Sequence, residues 1–331
     1  MQLSVVVPTL NGREHLVRCL DALSTNVPSA EIIVVNGPSV DGTTGVIRQR
    51  DDVDVLVEVG ERNINVARNA GLDRASGDIL AFVEYWLAVE EGWADAIQRA
   101  FECVAPAHRA SGHGPESPAV VTGPIHRPLR GGMSTETVER RSIAGQHVTY
   151  FRGGNVAFHR DALKAVDGFD EYLATGGARD VAHRLARLGH EVAWEPEMSV
   201  RRQTQSHDGP VPEVDEYGAQ PGIRADGGKD ARDWRWRYRS LTYRLVKNYG
   251  TRSLWRVARH IVTDIGSGIP TIARGETRPS EWLTNGRDIA GGVGVGLKDS
   301  LIARLRDRTP RRNHRGLSAR TDRAVTVYDR R

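Results

Sequence analysis

The sequence predicts an α/β fold in which helices flank a mostly parallel β-sheet, with a basic helical extension after it. Over the first 83 residues, short apolar and β-branched runs alternate with segments that carry apolar residues at helical spacing. This alternation favours parallel strands, because each helix returns the chain to the edge where the next strand begins. The charge is divided as well, with an acidic first part and a basic second part. Together these observations predict an open, Rossmann-like sheet followed by a separate basic region.

The predicted elements follow one another closely. In chain order they are the strand Leu3–Pro8, a helix beginning at Glu14, the strands Ile32–Val35 and Val53–Val59, the helix Ile64–Ala75 and the strand Ile79–Val83. Further strands are predicted at Val120–Thr122 and Val192–Trp194, an apolar segment in Gly153–His159 and a helix at Val181–Leu188. Ligands of such sheets bind beyond the carboxyl ends of the strands. The residues that follow each strand are therefore candidates for binding.

The chain is expected to divide into four regions. They are an α/β domain at 1–203, a loop rich in glycine and proline at 204–230, a basic amphipathic helical region at 231–305 and a basic, disordered tail at 306–331. Cys19 and Cys103 show no disulfide or zinc spacing, and the first residues show no signal-peptide pattern. These features predict a reducing compartment, the cytoplasm.

The charge division indicates an acidic partner for the second part of the chain. Residues 1–228 carry 22 Lys and Arg against 32 Asp and Glu, whereas residues 229–331 carry 24 against 10. Such a basic region suits nucleic acid or an anionic membrane face. No recognised nucleic-acid module accompanies it, so nucleic acid is not an expected partner.

The basic region resembles a helix that lies in a membrane interface. Aromatic residues and arginines are interleaved between Trp234 and Tyr243, and one face of the next helix gathers apolar side chains: Leu254, Val257, Ala258, Ile261, Val262 and Ile265. This pattern predicts peripheral binding to the inner face of the cell membrane. The alternative is that the apolar face packs on the α/β domain. No run of about 18 apolar residues predicts a membrane-spanning helix.

Four motifs give about the first 200 residues a family resemblance. They are Ser4–Asn11 (SVVVPTLN), Val35–Thr43 (VNGPSVDGT), the helix motif Ala67-Arg68-Asn69 and the segment Gly153–Glu171. In order and spacing they are similar to motifs of family 2 glycosyltransferases. The chain therefore resembles an inverting enzyme of the GT-A fold. The resemblance implies transfer of a sugar from a nucleotide-sugar donor to an acceptor.

The resemblance also implies roles for individual residues. The donor-side residues are Pro8, Thr9, Asn11, Asn36, Asp41, Arg68 and Glu84. The acceptor-side residues are Gly153, Gly154, Asn155 and Arg179. Two of these have alternative roles: Asp41 is also placed to cap the following helix, and Arg68 to pair with an acid such as Asp78.

Two donor-side positions depart from the family pattern. Asn36 stands where the family has an aspartate, so the choice of nucleotide is not specified. Trp86 stands where the metal-ligating aspartate is expected, and Glu84 is the carboxylate that remains. Either Glu84 and the substrate's phosphates hold Mg²⁺ or Mn²⁺ weakly, or a cation such as Arg68 replaces the metal, or activity is lost.

The catalytic base departs from the pattern too. Inverting transfer needs a carboxylate that takes the proton of the acceptor hydroxyl. The family's acidic pair follows two glycines, but here two glycines lead to Ala178, and Asp180 is the acid that remains. Asp180 is the first candidate for the base, with Asp170 or Glu171 in reserve. Its alternative role is to cap a helix.

The predicted function is transfer of a sugar to a lipid-linked or surface-glycan acceptor, such as a polyprenyl- or dolichyl-linked oligosaccharide. The acidic catalytic domain is similar to those of salt-adapted archaea. The alternative is a non-catalytic family member that binds a glycan or a partner protein. The changes at Asn36, Trp86 and Ala178 favour that alternative.

Overall fold

The computed structural model describes residues 1–102, 118–129, 132–203, 234–273 and 279–331. These residues divide into two compact units. The first holds the described parts of residues 1–225 together with 315–331, and the second holds the described parts of 226–314. The loop predicted at 204–230 lies outside the described residues.

Fourteen strands are present in the described residues. They are β1 (Leu3–Thr9), β2 (Glu31–Asn36), β3 (Val55–Val59), β4 (Ile79–Val83), β5 (Leu87–Val89), β6 (Val120–Thr122), β7 (Ile125–Leu129), β8 (Gly132–Glu136), β9 (Glu139–Ile143), β10 (Gln146–Tyr150), β11 (Asn155–His159), β12 (Val192–Trp194), β13 (Val200–Arg202) and β14 (Ala324–Asp329). The first four confirm the strands that the apolar runs predict.

Nine α-helices are present in the same residues. They are α1 (Arg13–Asn26), α2 (Thr43–Arg48), α3 (Ile64–Arg74), α4 (Trp93–Glu102), α5 (Arg160–Ala165), α6 (Gly177–Arg187), α7 (Trp234–Tyr249), α8 (Leu254–Ala273) and α9 (Pro279–Arg306). From β1 to β4 one helix lies between each strand and the next, as the sequence predicts.

Eight strands of the first unit form one sheet in the order β12-β6-β11-β4-β1-β2-β3-β14. The four strands β4, β1, β2 and β3 run parallel, and β12 runs parallel to β6. Strand β11 is antiparallel to both neighbours, and β14 is antiparallel to β3. The carboxyl ends of β1 to β4 therefore lie along one edge of the sheet, which confirms the mostly parallel α/β fold.

The core of this unit lies on both faces of the sheet. In β1, Val5, Val6 and Val7 are fully buried, so neighbouring side chains on opposite faces are both covered. Helix α3 packs closely, since a Cβ at Gly71 would lie 2.3 Å from Val6 Cγ1. Only glycine allows this approach, which brings the second half of α3 close against β1 and β2.

Residues 315–331 belong to the first unit, and the prediction of a disordered tail at 306–331 is therefore wrong. Residues 324–329 form β14, which covers the edge of β3, with Val327 opposite Val57. The arginine content suggested a solvated segment. The structure instead places Arg320, Arg323 and Arg331 on acidic side chains of the first unit.

The second unit contains α7, α8 and α9. Its small core gathers five buried side chains: Tyr238, Leu241, Leu245, Val257 and Ile289. Helix α9 lies close against α7, because a Cβ at Gly292 would lie 2.2 Å from the Arg235 carbonyl oxygen. No described helix combines the length and the apolar character that a membrane span needs.

The predicted apolar face of α8 is divided between the core and the surface. Val257 is buried and Ile261 packs against the core of the second unit. Val262 is 70% exposed, and the neighbouring Trp255 is 56% exposed. The predicted stripe is therefore split: Val257 and Ile261 face the core, whereas Val262 stays exposed together with Trp255, which the prediction did not include.

Candidate functional site

A cleft opens at the carboxyl ends of β1 and β2. It encloses about 220 Å³ of empty space, open solvent included, and is lined by Pro8, Thr9, Leu10, Gly37, Glu61, Arg62, Asn63, Ile64 and Ala67. Three connections contribute this lining: the turn after β1, the turn after β2 and the loop from β3 into α3. The structure thus brings the predicted residues Pro8 and Thr9 together at the edge where ligands of parallel sheets bind.

Thr9 has an unused polar atom at this cleft. The residue is buried, and its hydroxyl oxygen has no hydrogen-bond partner among the described residues. A buried hydroxyl without a partner carries a desolvation cost that a bound ligand can relieve. The arrangement fits a site that hydrogen-bonds a polar ligand.

The other donor-side residues of this region organise its loops. Asn36 is buried and uses both ends of its amide, donating to Thr44 Oγ1 at 2.8 Å and accepting from Ser39 Oγ at 2.7 Å. Asn11 accepts from the Val40 N–H at 2.9 Å and adopts a left-handed φ of 50°. Both amides shape the loop after β2 and are engaged within the protein.

Asp41 has the capping role that the sequence left as an alternative. Its carboxylate accepts from the Thr43 N–H at 3.1 Å and from the Arg13 N–H at 3.0 Å. Burial raises the pKa of Asp41, but hydrogen bonds from Thr43 and Arg13 outweigh it and hold the pKa below its usual value. The charged carboxylate therefore connects the starts of α1 and α2.

Arg68 and Glu84 form a buried ion pair. Arg68 Nη2 lies 3.2 Å from Glu84 Oε1 and 3.1 Å from the Gly153 carbonyl oxygen. Burial lowers the pKa of Arg68, and the charge of Glu84 partly offsets this by raising it. The acid partner of Arg68 is thus Glu84, rather than an acid such as Asp78.

Gly153 and Gly154 pack directly on this pair. A Cβ at Gly153 would lie 2.3 Å from Arg68 Nη2, and a Cβ at Gly154 would lie 2.7 Å from Glu84 Cδ. The two glycines were predicted as acceptor-side residues. In the structure they allow the loop before β11 to cover the ion pair.

Asn155 was predicted on the acceptor side as well, but it is fully buried and structural. Its Oδ1 accepts from Trp93 Nε1 at 2.9 Å, and its Nδ2 donates to the Met198 carbonyl at 2.8 Å. Arg179 remains partly exposed, donates to Glu139 Oε2 at 2.9 Å and lies over the Tyr150 ring. Of these two residues, only Arg179 is accessible to a ligand.

The candidate bases are held by neighbouring groups. Asp180 is fully buried, and its Oδ2 lies 2.8 Å from Arg184 Nε, whose side chain is also fully buried. Asp170 is fully buried and accepts from the Tyr172 N–H at 3.0 Å. Both carboxylates are therefore buried and bonded within the protein, and the role of each as the base stays a prediction.

The reserve candidate Glu171 is engaged too. Its Oε2 lies 2.8 Å from Arg320 Nε, and its Oε1 accepts from Asn69 Nδ2 at 2.7 Å and from Arg323. The carboxylate thus accepts hydrogen bonds from two arginines and one amide. Its environment suits a structural anchor.

The sequence model of glycosyl transferase family 2 matches residues 4–166, which contain the cleft and the Arg68–Glu84 pair. The chain belongs to glycosyl transferase family 2. The fold agrees: S. aureus TarS (residues 1–349), solved with UDP-GlcNAc, superposes with a TM-score of 0.57 at 14% identity. That match covers 92% of this chain and 85% of the TarS chain. The first unit therefore has the GT-A fold.

Three curated glycosyltransferases are similar to this family 2 member over part of its length. Glycosyltransferase AglE of Haloferax volcanii is 26% identical over 206 residues, which are 58% of this chain and 63% of AglE. The pre-mycofactocin glycosyltransferase of Mycobacterium tuberculosis is 26% identical over 204 residues, 58% of this chain and 41% of that protein. The putative teichuronic acid biosynthesis glycosyltransferase TuaG of Bacillus subtilis is 33% identical over 86 residues, 24% of this chain and 34% of TuaG. The chain thus spans less than two thirds of these relatives.

The family 2 resemblance implies Mg²⁺ or Mn²⁺, and the side chains do not fit such an ion. Glu84 is paired with Arg68, and Trp86 offers an indole N–H, which donates and does not coordinate. In the part of the chain that the structure describes, no three His, Cys, Asp or Glu side chains come together to hold a metal. Trp86 packs against the core instead, with the Arg202 guanidinium 5.2 Å from its ring centre.

The sequence prediction missed one wall of the cleft. Glu61, Arg62, Asn63 and Ile64 follow β3, and the motif comparison gave them no role. Arg62 lines the cleft, is exposed and forms no ion pair with any described residue. Ligands of parallel sheets bind beyond the carboxyl ends of the strands, which is called the carboxyl-end rule below. Applied to the third predicted strand, this rule would have found the segment.

Proposed function

We propose that this family 2 protein binds a nucleotide-sugar in the cleft beyond β1 and β2 and transfers the sugar with inversion. The observation that carries the proposal is Thr9, a residue that lines the cleft and whose buried hydroxyl has no partner among the described residues. A nucleotide offers both donors and acceptors to such a hydroxyl.

Arg62 is the cation that we propose for the diphosphate. It lines the same cleft, and a guanidinium binds phosphate oxygens through paired hydrogen bonds. Arg68 suits this role less, because its charge is already matched by Glu84. A cation at the leaving diphosphate stabilises the charge that develops as the sugar departs.

The test is calorimetric titration with UDP-GlcNAc and a panel of other nucleotide-sugars, each with Mn²⁺ and with chelator. Thr9→Val and Arg62→Gln are expected to weaken binding about tenfold each, since each removes one polar contact to the ligand. Thr25→Val, on α1 and away from the cleft, is the matched control. A folded protein that binds no nucleotide-sugar contradicts the proposal.

We propose a lipid-linked or surface-glycan acceptor, met at the inner face of the cell membrane. The name of one relative refers to teichuronic acid biosynthesis, which supports a glycan acceptor. On α8, Trp255, Ala258 and Val262 are exposed at the spacing of one helical face, beside the exposed Arg252 and Arg259. Apolar side chains flanked by arginines suit an anionic lipid surface.

Sedimentation with phosphatidylglycerol vesicles tests the membrane part of the proposal. Trp255→Ala with Val262→Ala is expected to reduce the bound fraction severalfold, because interfacial binding scales with buried apolar area. Val325→Ala, an exposed valine of β14, is the matched control. Equal binding of the double variant and the control would remove α8 from the proposal.

A second candidate function is a family 2 fold that binds a nucleotide-sugar or glycan without turnover. One observation favours it: the three candidate bases Asp170, Glu171 and Asp180 are all engaged in internal hydrogen bonds or ion pairs. Incubation with the tightest-binding donor and extracted lipid acceptors separates the two functions. Product with inverted anomeric configuration, seen by NMR, supports transfer, and donor binding without product supports the second candidate.

A further inference from the structure

Arg320 lies beside the nucleotide cleft, although it is distant from it in sequence. Its Nη1 lies 2.5 Å from Glu61 Oε1, and its Nε lies 2.8 Å from Glu171 Oε2. Glu61 is one of the residues that line the cleft. The segment 315–331 thus contributes a positive charge directly behind the cleft wall.

Glu61 by itself is unfavourable for an anionic ligand. Its carboxylate is about half exposed at the wall of the cleft, beside Arg62. A negative charge there repels a diphosphate and competes with it for the Arg62 guanidinium. An ion pair with Arg320 reduces both effects, because it offsets the charge of the carboxylate and engages Glu61 Oε1.

We propose that Arg320 is a positioning residue of the nucleotide site, which neutralises Glu61 so that the cleft accepts a nucleoside diphosphate group. The inference rests on the proposed function, since it concerns the same cleft. It adds a residue from a part of the chain that the family match does not include. Burial lowers the pKa of Arg320, but hydrogen bonds from it to Glu61 and Glu171 outweigh this and raise the pKa.

The segment that carries Arg320 is anchored independently of it. Strand β14 pairs with β3, Arg323 Nη1 lies 3.0 Å from Asp73 Oδ2, and Ser318 donates to Asp167 at 2.8 Å. Loss of the Arg320 side chain therefore leaves the segment in place. An Arg320 variant tests the charge, not the folding of the segment.

The experiment is calorimetric titration of UDP-GlcNAc and UDP into five proteins: the wild type, Arg320→Ala, Glu61→Gln, the double variant and Arg330→Ala. Arg320→Ala is expected to weaken binding about three- to tenfold, because it exposes an unpaired carboxylate to the ligand. The double variant is expected to bind within about twofold of Glu61→Gln, since the repulsive charge is gone. Arg330, which contacts main-chain carbonyls at the opposite end of β3, is the matched control and is expected to leave binding unchanged.

Salt separates a charge effect from a structural one. The loss in Arg320→Ala is expected to shrink as ionic strength rises, because an exposed carboxylate is screened. Wild-type-like binding by Arg320→Ala, or a loss that Glu61→Gln does not relieve, overturns this inference and leaves the proposed function standing. Absence of binding in the wild type overturns the proposed function, and the inference with it.

Discussion

Arg68 Nη2 and Glu84 Oε1 lie 3.2 Å apart, with 5% and 10% of their side chains exposed. The family resemblance implies different roles for these two residues at the donor: Arg68 at the diphosphate and Glu84 at the metal ion. In this protein they neutralise each other under the loop at Gly153 and Gly154. The buried pair therefore contributes mainly to stability, and Thr9 and Arg62 are the lining residues that we propose for contacts to the donor.

Replacing Glu84 alone should destabilise the protein strongly. Glu84→Gln leaves the Arg68 guanidinium buried without its counter-charge, which is expected to lower the free energy of unfolding by about 3–5 kcal/mol. Arg68→Met together with Glu84→Gln is expected to cost less than the sum of the single changes, since no unpaired charge remains. Urea denaturation measures all three variants. Additive losses would show that the two groups are not coupled.

A methyl group at residue 153 should disturb the same pair. Gly153→Ala places a Cβ 2.3 Å from Arg68 Nη2, and the expected cost is about 1–3 kcal/mol because the covering loop must shift. Gly45→Ala, in α2, is the matched control, since its Cβ meets nothing within 4 Å. That control is expected to raise the free energy of unfolding of the protein by about 0.5–1 kcal/mol, because alanine has a higher helix propensity than glycine. Thermal denaturation of both variants checks the contrast.

Asp180 should prove to be structural. Asp180→Asn removes the charge that pairs with the fully buried Arg184 and is expected to lower the free energy of unfolding by about 3 kcal/mol. Nucleotide affinity of the folded protein is expected to stay unchanged, because Asp180 does not line the cleft. Denaturation and calorimetry on the same sample measure both quantities. Loss of transfer at unchanged stability would instead restore Asp180 as the base.

Glu31 should govern part of the acid sensitivity. Burial raises its pKa, but hydrogen bonds from Ser4, Ser76 and Arg331 outweigh this and hold the pKa of Glu31 below its usual value. A group with a lowered folded-state pKa stabilises the protein above about pH 4.5 and loses that contribution as the pH falls through the folded-state pKa.

Urea denaturation at pH 6, 4 and 3 checks this for the wild type and Glu31→Gln. The variant is expected to be less stable at pH 6 and to lose less stability between pH 4 and pH 3. Parallel stability profiles for the two proteins would show that Glu31 does not contribute to the acid sensitivity.

The sequence by itself determined the α/β class, the strands β1 to β4 and the family. Strands and helices leave a periodic pattern of apolar residues that each segment carries locally. The carboxyl-end rule then led to Pro8 and Thr9, because it depends only on strand order. The loop residues Glu61 and Arg62 were within reach of the same rule.

Only the tertiary structure decided what the charged residues do. Asp180 looks like a free acid in the sequence, and its burial against Arg184 depends on the packing of α6 under residues 166–168. Arg320 looks like part of a solvated basic tail until β14 pairs with β3 and brings it to Glu61. An ion pair between distant segments leaves no periodic pattern in the sequence, because the tertiary fold, and not local spacing, brings its partners together.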